Sequence, residues 1–179
     1  MNFLIKLIFL LIVPLISIAG PGDDIGKMGV SKDVQKVIRV QMYDNYFKPA
    51  TYKIKAGQTV KFIVENKGQF VHEFNIGTEP QHIKHQPEMA EMTMMGILYP
   101  EYIDKEKMKE MAKMNPSMNH SHGNSVLLEP GEKGELIWKF SDNQEILVAC
   151  NVPGHYEDGM VNEVTIRWDN SLLHDNSCS

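Results

Sequence analysis

Cysteine is nearly absent from this 179-residue chain, which holds only Cys150 and Cys178. Basic residues are also short: 18 Lys and Arg stand against 23 acidic residues, a net charge of −5. No basic patch emerges along the sequence, which excludes a nucleic-acid surface. There is no phosphate-binding glycine loop and no Ser/His/Asp order that would support hydrolytic catalysis, so an enzyme is not expected. Internal repeats are missing. Long apolar runs are confined to residues 7–18, which follow Lys6 and end at the small-x-small triplet Ser17-Ile18-Ala19. That pattern reads as a secretory signal peptide over 1–19, cleaved near Ala19. Its apolar core is short and contains Pro14, which argues against a membrane anchor retained after cleavage. The expected location is periplasmic.

What remains is an ordinary globular composition, 42% hydrophobic and 23% charged, with room for one domain and an insertion. Residues 20–36 are polar and read as a flexible lead-in. From 37 to 168 the chain shows short, partly alternating runs divided by turn residues: 37–42, 52–55, 60–65, 72–76, 126–128, 134–140, 145–149 and 161–168. Phe47-Lys48-Pro49 reads as a turn between the first two, because proline disfavours helix before it. Such spacing predicts an all-β Greek-key sandwich. Residues 169–179 form a polar tail containing Cys178.

The chemistry concentrates in 149–160, A-C-N-V-P-G-H-Y-E-D-G-M. Cys150, His155 and Met160 are each separated by four residues, in a loop between two strand-like runs. Taken singly, a cysteine or methionine is more often core filler, and a histidine at a strand end is more often simply hydrogen-bonded. Together, thiolate, imidazole and thioether suit a copper ion cycling between Cu(I) and Cu(II); zinc prefers four firm ligands. A second imidazole is needed, and His72 in Q-F-V-H-E-F-N-I-G (69–77) is the best candidate. A disulfide between the two cysteines would destroy such a site, and the tail thiol Cys178 is expected to be free.

These residues resemble the type 1 (blue) copper site of the cupredoxin family. C-x4-H-x4-M, with Pro153-Gly154-His155 inside it and an H-E-F segment upstream, is similar to the ligand loop of azurin-like members. Matching stretches at 45–57, 59–66 and 128–140 extend the resemblance over most of 37–168. It implies a metal held by His72, Cys150, His155 and Met160, with His155 at the solvent edge. Two positions depart from the family pattern: Glu73 stands where many members have Asn, and Asn151 where many have Ser or Thr. The two residues are expected to exchange those supporting roles. No second cysteine lies near Cys150, so a two-copper oxidase centre is not supported.

The segment 78–125 is far longer than a normal strand connection. Eight of the twelve methionines fall in 89–118, and 100–113 reads as a helix opened by Pro100. Thioethers favour Cu(I) and imidazoles accept Cu(II). Met92, Met94, Met95, His120 and His122 are therefore candidates for a second, weaker copper region, with plain helix packing as the alternative. The resemblance leaves three functional readings: periplasmic copper tolerance with redox activity, soluble electron transfer of the azurin type, or a binding module whose metal is incidental. A redox or copper-transfer protein is the partner implied by either of the first two. The Met/His segment favours the first, because a shuttle gains nothing obvious from extra soft ligands.

Overall fold

A computed structural model describes residues 25–114, 123–143 and 145–168. Among the described residues, ten strands form two five-stranded sheets. The first holds, in spatial order, β1 (Gly26–Met28), β8 (Lys133–Phe140), β5 (Thr59–Asn66), β2 (Lys36–Tyr43) and β3 (Tyr46–Lys48). The second holds β4 (Tyr52–Lys55), β10 (Val161–Arg167), β9 (Ile146–Ala149), β6 (His72–Thr78) and β7 (Ser125–Leu128). Two pairs are parallel, β2 with β5 and β4 with β10; the others are antiparallel.

Period-2 alternation builds the core. Val60, Phe62 and Val64 of β5, Leu136, Trp138 and Phe140 of β8, and Tyr52 and Ile54 of β4 all point between the sheets and are buried. Phe74 of β6 stands among them, edge-on to Phe47 and Tyr52 and tilted against Phe62.

β6 is different because all seven of its residues are buried. Phe74 and Ile76 face the core, so Glu73 and Asn75 point out of the opposite face. Helix α1 (Glu79–Met94) packs on β6 and supplies polar partners to this outer face. A charged residue is thereby buried without facing the core.

Three local expectations are corrected. Residues 20–36 are not all lead-in: Ile25 is buried, Gly26–Met28 pairs with the end of β8, and Ser31–Asp33 forms a 3-10 turn. Phe47 and Lys48 lie in β3 rather than in a turn, with Met42 paired to Phe47. The helix read over 100–113 is α2 (Lys105–Met114). Pro100 does not open it, because Leu98 and Ile103 form a bridge and the Tyr99 N–H donates to the Tyr102 carbonyl. Asp104 begins the helix, accepting the Lys107 N–H at 2.9 Å as an N-cap should.

α1 has no counterpart in the sequence reading. Its start is signalled by Thr78 and Gln81, which form a reciprocal capping box. Pro87 inside the helix hides the rest, since proline normally ends a helical pattern.

Candidate metal centre

Strand order assembles the site. β6, β9 and β10 are neighbours, with Asn75 opposite Ala149 and Ala149 opposite Val161. His72 at the start of β6, Cys150 just past β9 and Met160 just before β10 therefore meet at one end of the second sheet. The Cys150 N–H donates to the Met160 carbonyl at 3.1 Å and closes the loop at its base. The Met160 N–H donates to the His155 carbonyl at 2.9 Å, folding the loop's middle back over its ends. Gly159, with φ of 92°, makes this reversal just before Met160, a conformation that favours glycine.

Three donor atoms converge. Nδ1 of His72 lies 3.1 Å from Nδ1 of His155, and Sγ of Cys150 lies 3.3 Å from His155 Nδ1 and 3.9 Å from His72 Nδ1. Metal bonds of about 2.0–2.3 Å would set donors sharing one ion roughly 3.5 Å apart, so the set fits an ion. Two imidazole nitrogens facing each other this closely need a shared proton or a cation between them. Among the described residues, this is the group of His and Cys side chains that can hold a metal. Met160 is fully buried at the same end of the sheet.

Burial shapes the charge of each donor. It pushes the Cys150 thiol up to about 12, so the sulfur holds its proton until a cation replaces it. Burial lowers His72 and His155 below the usual histidine value; the neighbouring His72 lowers His155 further, whereas Asp44 opposes the drop at His72. Both rings are thus lone-pair donors at neutral pH. Cys150 is a free, buried thiol; Cys178 lies outside the described residues.

The orientation of His72 comes from Asp44, which the sequence reading did not single out. His72 Nε2 donates to Asp44 Oδ1 at 2.9 Å, which leaves Nδ1 unprotonated and turned toward Cys150. The carboxylate is itself fixed by the backbone N–H groups of Gln69 and Phe70. Gly68 is needed here, since a Cβ at that position would collide with Asp44 Oδ1 and with His72 Nε2.

A polar cluster supports the other side. The Glu73 N–H donates to Cys150 Sγ at 3.3 Å. Asn151 Nδ2 donates to Glu73 Oε2 at 2.8 Å, and Asn75 Nδ2 to Glu73 Oε1 at 3.1 Å. The two positions that depart from the cupredoxin pattern therefore bond to each other and tie His72's strand to Cys150's loop. His85 of α1 completes the cluster, with Nε2 3.1 Å from Glu73 Oε1 and Nδ1 2.8 Å from Glu88 Oε2. His82 lies 3.3 Å from Asn151 Nδ2. Their signal in the sequence is spacing: His82, His85 and Glu88 recur every three residues on one helix face.

This cluster has a pH signature. Burial alone would lower His85, but Glu73 and Glu88 outweigh it and raise the ring to about 9 from the ordinary 6.5. Burial would raise Glu73, but His85, Asn151 and Asn75 bring it down to about 2. A histidine raised on folding contributes stability that is complete below its unfolded value and lost as pH climbs through the folded one. The metal-free protein is therefore expected to lose stability on the order of 3 kcal/mol between about pH 6.5 and pH 9. Denaturant titrations across that range check it, and a flat midpoint would contradict the cluster.

The Met/His candidates do not gather into one site within the described residues. Met92 is fully buried and Met95 packs half-buried against the core, whereas Met94 is 81% exposed. Helical spacing sends Met92 and Met94 to different faces. Met89, Met108 and Met111 likewise pack against the core, which explains much of the methionine density as ordinary burial. His120 and His122 lie outside the described residues.

A cupredoxin-like domain profile matches residues 7–90. The chain is 41% identical over 152 residues to the copper-resistant cuproprotein CopI of Pseudomonas aeruginosa, covering 82% of this chain and 84% of that protein. It is 32% identical to CopI of Rubrivivax gelatinosus, over 79% and 73% of the two chains. Dithionite-reduced auracyanin from Roseiflexus castenholzii shares the fold at a TM-score of 0.52 and 16% identity, over 75% of this chain and 98% of that one. The fold, the His-Cys-His convergence and these relatives agree that the chain belongs to the cupredoxin family.

Proposed function

We propose that this chain is an exported copper-binding protein serving copper tolerance, with one redox-active type 1 site. The convergence of His72 Nδ1, His155 Nδ1 and Cys150 Sγ carries this reading, and the relatives named as copper-resistant cuproproteins support it. Met160, buried at the same end of the sheet, would add a thioether as the fourth member of a donor set that suits copper. When bound, copper supplies one-electron redox chemistry and a coloured bond to the thiolate. The residues of the chain fix the donors, exclude water and keep His155 at the edge. The role is binding and electron exchange rather than enzymatic turnover.

The decisive experiment is copper loading of the purified mature protein, followed by metal analysis and a visible spectrum. One tightly held copper per chain with strong visible absorption supports the reading; a colourless, copper-supplied protein overturns it. Deleting the gene should lower growth in copper.

Electron transfer to a soluble partner is the second reading, and one observation favours it. Beside His155 is a hollow of about 210 Å³ lined largely by apolar groups, among them Phe70, Leu98, Tyr99 and Pro100. Unchanged copper tolerance with impaired respiration in the deletion strain would select that reading. Location in the periplasm rests on the 1–19 segment; among the described residues no helix is long and apolar enough to cross a membrane.

Asp44 gives a graded test of the centre. Asp44→Ala frees the His72 ring and its tautomer, and partners of this kind are worth about 10–100-fold in metal affinity. Competition with a copper chelator should show a loss of that size with the visible band retained. Unchanged affinity would mean that the loop alone orients His72.

A further inference from the structure

We infer that His85, carried on the inserted helix α1, is a positioning residue of the copper centre: its imidazolium neutralises the buried Glu73 carboxylate beside Cys150 and thereby tilts the site toward Cu(I). The inference rests on the copper reading above and deepens it, because it connects the insertion to the redox balance of the metal.

The geometry suits a cation. Each ring nitrogen of His85 faces a carboxylate oxygen, Glu88 at 2.8 Å and Glu73 at 3.1 Å. Ionised carboxylates only accept hydrogen bonds, so both nitrogens must donate, and a ring donating from both is an imidazolium. Glu73 is almost wholly enclosed, its side chain 2% exposed. Such a carboxylate stays ionised only if paired and hydrogen-bonded. Asn151 and Asn75 also donate to it, but among the described residues bonded to it only His85 brings compensating charge.

The pair is placed to be felt at the metal. Glu73 follows His72 directly, donates its backbone N–H to Cys150 Sγ, and bonds to Asn151, the residue after Cys150. Glu88, His82, Asn151 and Asn75, described around the pair, do not replace the charge of His85. Glu88 is another carboxylate, half in water at 43% exposure. His82 is kept neutral chiefly by burial, and Asn151 and Asn75 are uncharged. Without the imidazolium, an uncompensated anion would stand beside the thiolate and favour the more highly charged Cu(II). The couple is simple: one electron from a mediator reduces Cu(II) to Cu(I), with no bond made and no proton moved.

The test uses the copper-loaded mature protein and the variants His85→Gln, Glu73→Gln and the double variant, equilibrated with a ferricyanide/ferrocyanide mediator. Working at about pH 8 keeps carboxylates ionised. His85→Gln should shift the Cu(II)/Cu(I) preference about tenfold toward Cu(II), a potential lower by about 59 mV for one electron. Glu73→Gln should move it about as far the other way, and the double variant should return within about threefold of wild type. Singles that do not move, or that move in the same direction, overturn the inference.

A second measurement needs neither copper nor a variant. Nitrogen-15 NMR of metal-free wild type at about pH 8 should show both His85 ring nitrogens protonated; a neutral ring overturns the inference. A wild-type protein that binds no copper would sink the copper reading instead, while the NMR result would still decide whether His85 and Glu73 form the charge pair.

Discussion

Cys150→Ser should abolish the visible absorption of the copper-loaded protein and weaken copper binding more than any other single change. Its sulfur is the one soft anionic donor in the set, and it is also fully buried. A serine hydroxyl is harder and stays protonated, so neither the thiolate bond nor the trigonal geometry is available to it. The loss in affinity should exceed the about 10–100-fold typical of removing an outer partner. The fold should survive, because serine is similar in size and its hydroxyl can accept the Glu73 N–H that now points at Sγ. The cost to the metal-free protein should be about 1–3 kcal/mol. Metal analysis and circular dichroism, side by side, separate the two effects. Retained colour in Cys150→Ser would remove the sulfur from the centre altogether.

Phe74→Ala should be the most destabilising single truncation in the core. Its ring lies 5.9 Å from Phe47, 6.2 Å from Tyr52 and 5.1 Å from Phe62. Phe47 and Phe62 come from the first sheet and Tyr52 from the second, so the side chain fastens the two layers together. Deleting a buried phenylalanine ring costs about 3–5 kcal/mol, against a total stability of about 5–15 kcal/mol for a domain. The edge-on contacts add about 0.5–1.5 kcal/mol each to what area alone would give. A shift in the denaturation midpoint of the metal-free protein reads the loss directly. A shift worth less than about 1 kcal/mol would mean that the core collapses around the gap. Because Phe74 is two residues from His72, copper affinity should fall with it.

Most strands were legible because alternation is local. Val60, Phe62 and Val64 announce an inward face without help from the rest of the chain, and 52–55 matches β4 residue for residue. β1 was not legible: Gly26-Lys27-Met28 carries no alternating apolar signal, and it is a strand only because the end of β8 offers it an edge. α1 was hidden for a different reason. Pro87 interrupts its helical pattern, and its inner face is built from His82, Met89 and Met92 rather than from leucines. In the methionine cluster, burial accounts for Met89 and Met92 and in part for Met95, Met108 and Met111, whereas Met94 and Met114 stay exposed.

Residue types and spacing along the chain singled out the candidate donors, a thiol, an imidazole and a thioether on one loop and a histidine at the head of a strand, and of these the thiol and the two imidazoles converge. They could do so because a metal selects ligands by chemistry, and a short loop fixes spacing within itself. The pairings between distant segments belonged to tertiary structure alone. His72 is 78 positions from Cys150 and 28 from Asp44, and those distances close only once strand register is set. The same holds for the outer face of β6. Whether Glu73 meets water or His85 depends on where α1 lies, and a buried charge is tolerable only where another element brings its partner.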